Sequence, residues 1–271
     1  MTLRPLAFYR PTQTLSISVT GKYCALKCAH CGGHYLQDMI PLSKLTDSCD
    51  LPGRSCLISG GCTLEGKVPF SVFLPKLKAL KAQKKYNFHV GLLKEEEIKE
   101  LASIADVVSF DFVGADSTIH NTLKLPYNVA TYLQCFRLLQ KYCRCVAPHI
   151  CLGLEGGKLR GEKNALELLA RENIKLLVFI VLRPTPGTEY ANVQPPPLEE
   201  VQSFLTYARQ KLPETRLLLG CMRPSGLYRQ KLDAAAVEIG LDGIVQPAAS
   251  ALAAAQSLGR PIKNYLECCV L

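Results

Sequence analysis

TLSISVTGKYCALKCAHC, residues 14–31, sets a short apolar run directly against three cysteines in one loop. Read outward from there, short apolar runs recur at intervals suited to βα units. They are SCLIS (55–59), YNFHV (86–90), DVVSFDFV (106–113), RCVAPHICLGL (144–154), IKLLVFIVL (174–182), TRLLLG (215–220) and DGIVQP (242–247). Between them lie stretches of helical period, such as FSVFLPKLKALKAQ, EEEIKELASIA, VATYLQCFRLLQKY, EKNALELLARE, PLEEVQSFLTYARQKL and AAAVEIG. Eight strands alternating with helices predict an α/β fold, a (β/α)8 TIM-type barrel with an irregular C-terminal tail.

The positions that follow these strands are chemically unusual. The cysteine loop follows the first, Gly60-Gly61-Cys62 the second, Gly91 the third and Gly114 to Asp116 the fourth. Gly156-Gly157, Arg183 to Thr188 and Cys221-Met222-Arg223-Pro224 follow the next three. Barrel active sites are built from loops at the strands' C-terminal ends, so this places the chemistry at one mouth. Alternation along the strands then aims Asp111 and Ser109 inward, together with Asn87, His89, His149 and Cys151. A buried, unpaired carboxylate costs several kcal/mol, so these residues predict a cavity for a polar ligand. The alternative is that Asp111 caps a helix or turn and the histidines are satisfied core residues.

A chain of 271 residues with 48% hydrophobic content suits one domain spanning 1–271, with the tail 258–271 folded over the barrel mouth. MTLRPLAFYRPTQTLSISV holds neither a long apolar segment nor a small-residue cleavage site. No stretch approaches the roughly 20 apolar residues of a membrane span, so a cytoplasmic protein without membrane contact is expected. Thirteen cysteines in such a chain argue for metal or redox chemistry over a disulfide framework. A net charge of +9 favours an acidic partner, though the basic segment KLKALKAQKK (76–85) reads first as a solvated helix face. No aromatic-interleaved basic platform points to nucleic acid.

Cys24, Cys28 and Cys31 stand at C-x3-C-x2-C spacing, close enough for one loop to wrap a 4Fe-4S cubane and ligate three of its irons. Thiolates are soft donors suited to iron–sulfur clusters, and an iron left open can ligate a small molecule directly. A structural zinc loop is the competing reading, but zinc sites more often use paired C-x2-C knuckles with a fourth ligand.

The three cysteines resemble the signature of the radical S-adenosylmethionine superfamily, in its usual place after the first barrel strand. The resemblance implies that the open iron chelates S-adenosylmethionine and that one electron cleaves it to a 5′-deoxyadenosyl radical. His30 stands where the superfamily usually has an aromatic, which implies packing near the adenosine; a simple loop-packing role is the alternative. Gly60 and Gly61 match the glycine-rich turn that receives the methionyl ammonium, but the commonly following glutamate is Cys62 here. His89, Asp111, His149 and Gly153 complete the candidate cofactor-binding set.

SVTGKYCALKCAHCGGHYL, SGGC, PHICLGLEGG, LRPTPGTEY and LGCMRPSGLYR resemble the biotin-synthase-like proteins over nearly the whole chain. More narrowly, they are similar to the biotin-synthase-like subunit of two-component lipoyl synthases. That likeness implies sulfur insertion into an octanoyl chain carried by a lipoyl carrier protein, with a second radical synthase subunit and an electron donor as partners. It also implies an auxiliary iron–sulfur cluster. Cys62, Cys221, Cys268 and Cys269 are its candidate ligands, the last two in a tail, RPIKNYLECCVL, long enough when extended to climb the barrel. A frayed terminus with incidental cysteines is the competing reading of that tail. Cys135 and Cys143 read as small buried hydrophobes, while Cys49, Cys56, Cys145 and Cys151 stay undecided. The same chemistry on a free small molecule such as dethiobiotin is the enzymatic alternative, and a non-catalytic iron–sulfur or zinc protein that of another class.

Overall fold

The structure, a computed structural model, describes residues 4–47 and 51–271. Eleven strands form one curled sheet in which every ladder is parallel. In chain order they are β1 (Leu6–Tyr9), β2 (Thr14–Ser18), β3 (Ile40–Pro41), β4 (Ser55–Ser59), β5 (Lys85–Val90), β6 (Val107–Asp111), β7 (Val146–Leu152), β8 (Leu176–Val181), β9 (Arg216–Leu219), β10 (Gly243–Val245) and β11 (Ile262–Tyr265). Their order across the sheet is β11-β1-β10-β9-β8-β7-β6-β5-β4-β2-β3. Eight helices intervene: α1 (Leu74–Lys81), α2 (Glu95–Ala102), α3 (Asp116–Asn121), α4 (Val129–Tyr142), α5 (Glu162–Arg171), α6 (Leu198–Lys211), α7 (Gly226–Ile239) and α8 (Ala249–Ser257).

All eight sequence-predicted strands are present, as β2 and β4 to β10. The sheet nevertheless departs from the expected eight-stranded ring. β1 and β11 extend it beyond β10, β3 adds a two-residue edge beside β2, and the ladder runs open from β11 to β3 among the described residues. The curled sheet is wrapped by helices because successive side chains face opposite ways. Ile17, Ile58, Phe88, Phe110, Ile150, Phe179 and Leu219 project to the convex side, where they pack with helical residues such as Leu77, Leu101, Phe136, Leu166, Leu205 and Ala236. α4 shows how the local sequence makes a helix: Asn128 caps it by accepting from the Thr131 amide at 3.0 Å, and Tyr132, Cys135, Phe136 and Leu139 form its buried stripe.

The concave face carries a second, smaller cluster of Ala7, Tyr9, Val107, Ala147, Leu176, Val178, Leu218 and Val245. Ala7, Val107, Ala147 and Leu176 lie at the N-terminal starts of their strands. Cys269 and Val270 complete the cluster, each 6% exposed. The tail thus takes a course different from the expected one over the mouth. β11 runs beside β1, the Leu266 carbonyl accepts the Gln13 amide at 2.8 Å, and the Cys268 amide donates to Thr14 Oγ1 at 2.8 Å. The physical reason is burial: CCV offers three small apolar side chains to the otherwise unfilled lower end of the concave face, whereas the mouth is polar.

Candidate active site

The first strand of the predicted set, β2, ends at Ser18 and hands the chain to the cysteine loop at the C-terminal rim of the sheet. Backbone contacts hold that loop from several sides. The Ala25 amide donates to the Cys62 carbonyl at 2.9 Å, the Ala29 amide to the Thr122 carbonyl at 2.8 Å, and the Tyr190 amide to the Ala29 carbonyl at 3.1 Å. Gly61 is required by close approach, since a Cβ there would overlap the Tyr23 carbonyl oxygen and lie 2.6 Å from Cys24 Cα. Its own amide donates to Thr20 Oγ1 at 2.7 Å, and Gly60 packs against Val19 and Val68. The glycine pair therefore braces the cysteine loop here.

Ligand atoms of Cys28, His30 and Cys31 lie within 4.8 Å of one another, the one such convergence of His, Cys, Asp or Glu among the described residues. Cys28 and Cys31 share a hydrogen bond that pushes the Cys28 thiol up and the Cys31 thiol down; His30 reinforces the second shift. Cys24 completes the loop beside Cys62, its Sγ 3.9 Å from the Cys62 carbonyl oxygen. Burial pushes the Cys62 thiol up to about 12, and the charges of Cys24, Cys31 and Asp111 add to that shift. The donor set is soft, compact and backed by close-packed glycines, which fits a thiolate-ligated cluster.

Beneath this loop the concave face is polar, as alternation predicts. His89 Nε2 stands 3.2 Å from Asp111 Oδ2, and the rings of His89 and His149 stack at 5.4 Å. Burial alone would push the Asp111 carboxyl up, but His89 holds it well below the usual carboxylate range. Burial likewise pushes His89 down, and Asp111 more than reverses this. His149 has no such partner, and burial followed by the neighbouring His89 takes it down to about 4. This part of the concave face therefore sets a carboxylate and an imidazole that favour each other's charged forms beside a second imidazole whose charged form burial disfavours. One step toward the N-terminal ends, Ser109 Oγ donates to Asn87 Oδ1 at 2.9 Å, and Asn87 Nδ2 donates to Cys268 Sγ at 3.7 Å.

The remaining candidates are dispersed. Cys62 keeps company with Cys24 and Cys31, whereas Cys268 and Cys269 lie below the histidines, within electrostatic reach of Cys221. The four do not converge into one ligand set. Within the vicinal pair, a hydrogen bond from Cys269 pushes the Cys268 thiol down. Gly153 serves as a turn: its φ is +76°, and its amide donates to the buried Glu162 Oε1 at 2.8 Å. Cys56, Cys135 and Cys143 are buried in the convex-side core, Cys145 and Cys151 are half-buried, and Cys49 lies outside the described residues.

Sequence reading missed the supports of the rim. Tyr35 Oη and Thr185 Oγ1 share a hydrogen bond of 2.8 Å, and Thr122 Oγ1 and Tyr190 Oη another of 2.9 Å, tying the cysteine loop's surroundings to the segment after β8. It also missed Arg223, whose guanidinium grips Asp233 at 2.7 and 2.8 Å with both side chains fully buried. The hydroxyl-rich TPGTEY segment after β8 was the available signal for the first group. The Arg–Asp pair spans ten residues, and nothing in that spacing announces it.

Together the fold and the site define a curled parallel α/β sheet that carries a three-thiol loop at its C-terminal rim, above polar side chains on the concave face. No family model matches the chain, and no curated protein matches it in sequence. Solved structures share its fold. Methylornithine synthase (PylB) superposes with a TM-score of 0.62 at 11% identity, covering 96% of this chain and 84% of that one. The FeFe-hydrogenase maturase HydG from Carboxydothermus hydrogenoformans gives 0.64 at 13% identity over 89% of this chain and 58% of that one. SuiB from Streptococcus suis, solved with S-adenosylmethionine bound, gives 0.56 at 15% identity over 83% and 52%. The chain spans little more than half the length of the last two.

Proposed function

We propose that this chain is a radical S-adenosylmethionine enzyme. The observation that carries the reading is the convergence of Cys28, Cys31 and His30 within 4.8 Å on a loop that also holds Cys24, at the strand ends where such sheets do their chemistry. When bound by these three thiolates, a 4Fe-4S cluster would leave one iron for S-adenosylmethionine, whose one-electron cleavage supplies a carbon radical. The chain's own residues then bind, orient and exclude water. Gly60 and Gly61 fix the loop, His89 and Asp111 offer a charged pair to polar groups at the concave face, and the packed tail shuts its lower end. Such positioning is the protein's share of the catalysis, because hydrogen abstraction needs the reacting carbon within about 3–3.5 Å of the radical.

For the substrate we propose an octanoyl chain on a lipoyl carrier protein, into which sulfur is inserted with a second radical synthase subunit and an electron donor. The motif likenesses of the sequence support this, and so does the +9 charge, which would speed encounter with an acidic carrier in a salt-dependent way. An auxiliary, sulfur-donating cluster is part of the proposal on the motif likenesses alone, since Cys62, Cys221, Cys268 and Cys269 do not converge into one ligand set. No helix is long and apolar enough to cross a membrane among the described residues, and a cytoplasmic setting is part of the proposal. The test is anaerobic incubation with S-adenosylmethionine, reductant, the partner subunit and octanoyl-lysyl peptide, with mass spectrometry of products. A thiolated octanoyl product is expected; conversion of dethiobiotin to biotin without any such product would contradict the substrate.

A further inference from the structure

His30 is the third member of the group whose ligand atoms lie within 4.8 Å, beside the sulfurs of Cys28 and Cys31. Its Nδ1 is buried and has no hydrogen-bond partner, an unfavourable arrangement unless something occupies the site. The ring's place is fixed by backbone on both sides. The Ala29 amide and carbonyl are bonded to Thr122 and Tyr190, and the amides of Cys31 and Gly32 both donate to the Cys28 carbonyl, at 3.2 and 2.8 Å. A flat ring alone would fill this position as well. What distinguishes histidine is a ring nitrogen within 4.8 Å of the two sulfurs.

We propose that the His30 imidazole donates an N–H···S hydrogen bond to the cysteinyl sulfurs that hold the cluster and thereby sets its reduction potential. This inference rests on the radical-enzyme reading above. Hydrogen bonds to the sulfurs stabilise the more negative, reduced state and raise the potential. A bond about 1.4 kcal/mol stronger to the reduced than to the oxidised cluster shifts the reduction equilibrium about tenfold, or about 59 mV for a one-electron couple. His30 then does more than pack against an adenosine: it makes the cluster easier to reduce before any substrate arrives.

The experiment uses the reconstituted holoenzyme without S-adenosylmethionine. In protein labelled with 15N-histidine, pulsed electron paramagnetic resonance of the reduced cluster should show a 15N coupling that His30→Phe abolishes. Redox titration should find the His30→Phe cluster about tenfold harder to reduce, with at least one of His30→Asn and His30→Gln restoring the potential, since their amides place an N–H near the two ring-nitrogen positions. Absence of the coupling in the unsubstituted holoenzyme would overturn the inference, as would an unchanged potential in His30→Phe at equal iron content. A shift that neither amide restores would reduce His30 to packing and overturn it too. Protein that binds no iron at all would instead sink the radical-enzyme reading.

Discussion

Asp111 and His89 show how two side chains on neighbouring strands stabilise each other's charge. Desolvation alone would disfavour the charged form of each, and together they shift each other back toward it. The contribution of the pair to stability is complete between the unfolded values, near 3.8 for the carboxyl and 6.5 for the imidazole. It is lost as pH rises through the raised value of folded His89 and as pH falls through the lowered value of folded Asp111. Removing the carboxylate leaves burial as the main influence on His89, opposed only by the charge of Cys268. Asp111→Asn should therefore carry the His89 pKa below 6.5, read from imidazole proton shifts in an NMR titration, while His149 stays neutral across the range. A His89 pKa unmoved by the substitution would show that the pair is not coupled. This part of the site is legible in the sequence, because a period of two fixes which side of a strand Ser109, Asp111, Asn87 and His89 share. The ion pair itself is not, since alternation gives a face and says nothing of the register that sets Ser109 opposite His89 and Asp111 opposite His149.

At the scale of elements, the strands were the legible part and the joints were not. β1 reads LAFY between two prolines and carries no alternation, so nothing marks it as a strand; all four residues are buried between β10 and β11. α7 begins at Gly226, well before its apolar AAAVEI run, because Asp233 in its middle is a buried anchor. Asp233 binds Arg223 through both carboxylate oxygens and also accepts the Ala248 amide at 2.8 Å, at the N-cap of α8. Arg223 in turn donates to the carbonyls of Gly220 and Val245, at 2.6 and 2.9 Å. One buried pair therefore locks the ends of β9 and β10 to two helices. Asp233→Ala, which strands the guanidinium, should cost about 3–5 kcal/mol in denaturant unfolding. A loss under about 1 kcal/mol would show the pair to be an ornament of the fold. The tail makes a second prediction at this scale. Val270→Asp puts a carboxylate among Ala147, Val178 and Leu218 and should destabilise by several kcal/mol, a loss visible in thermal melting; a tail that merely frays would leave the melting point unchanged.

Across the whole molecule the cysteines sort by depth and face. Cys56, Cys135 and Cys143 belong to the helix-packed core, Cys269 to the cluster that fills the lower concave face, and Cys24, Cys28 and Cys31 to the rim. Spacing alone separated the rim trio, since three thiols in eight residues can meet without help from the fold. It could not sort Cys62 from Cys221, Cys268 and Cys269, because what divides them is the path of a tail that leaves β11 for the bottom of the sheet. The central claim is that the rim trio is a cluster site for reductive cleavage of S-adenosylmethionine. It is tested most directly by anaerobic reconstitution with iron and sulfide, followed by assay of 5′-deoxyadenosine after addition of S-adenosylmethionine and reductant. The intact chain should form it, and Cys24→Ala, Cys28→Ala and Cys31→Ala should each abolish it, whereas undiminished 5′-deoxyadenosine from any of the three variants would contradict the claim.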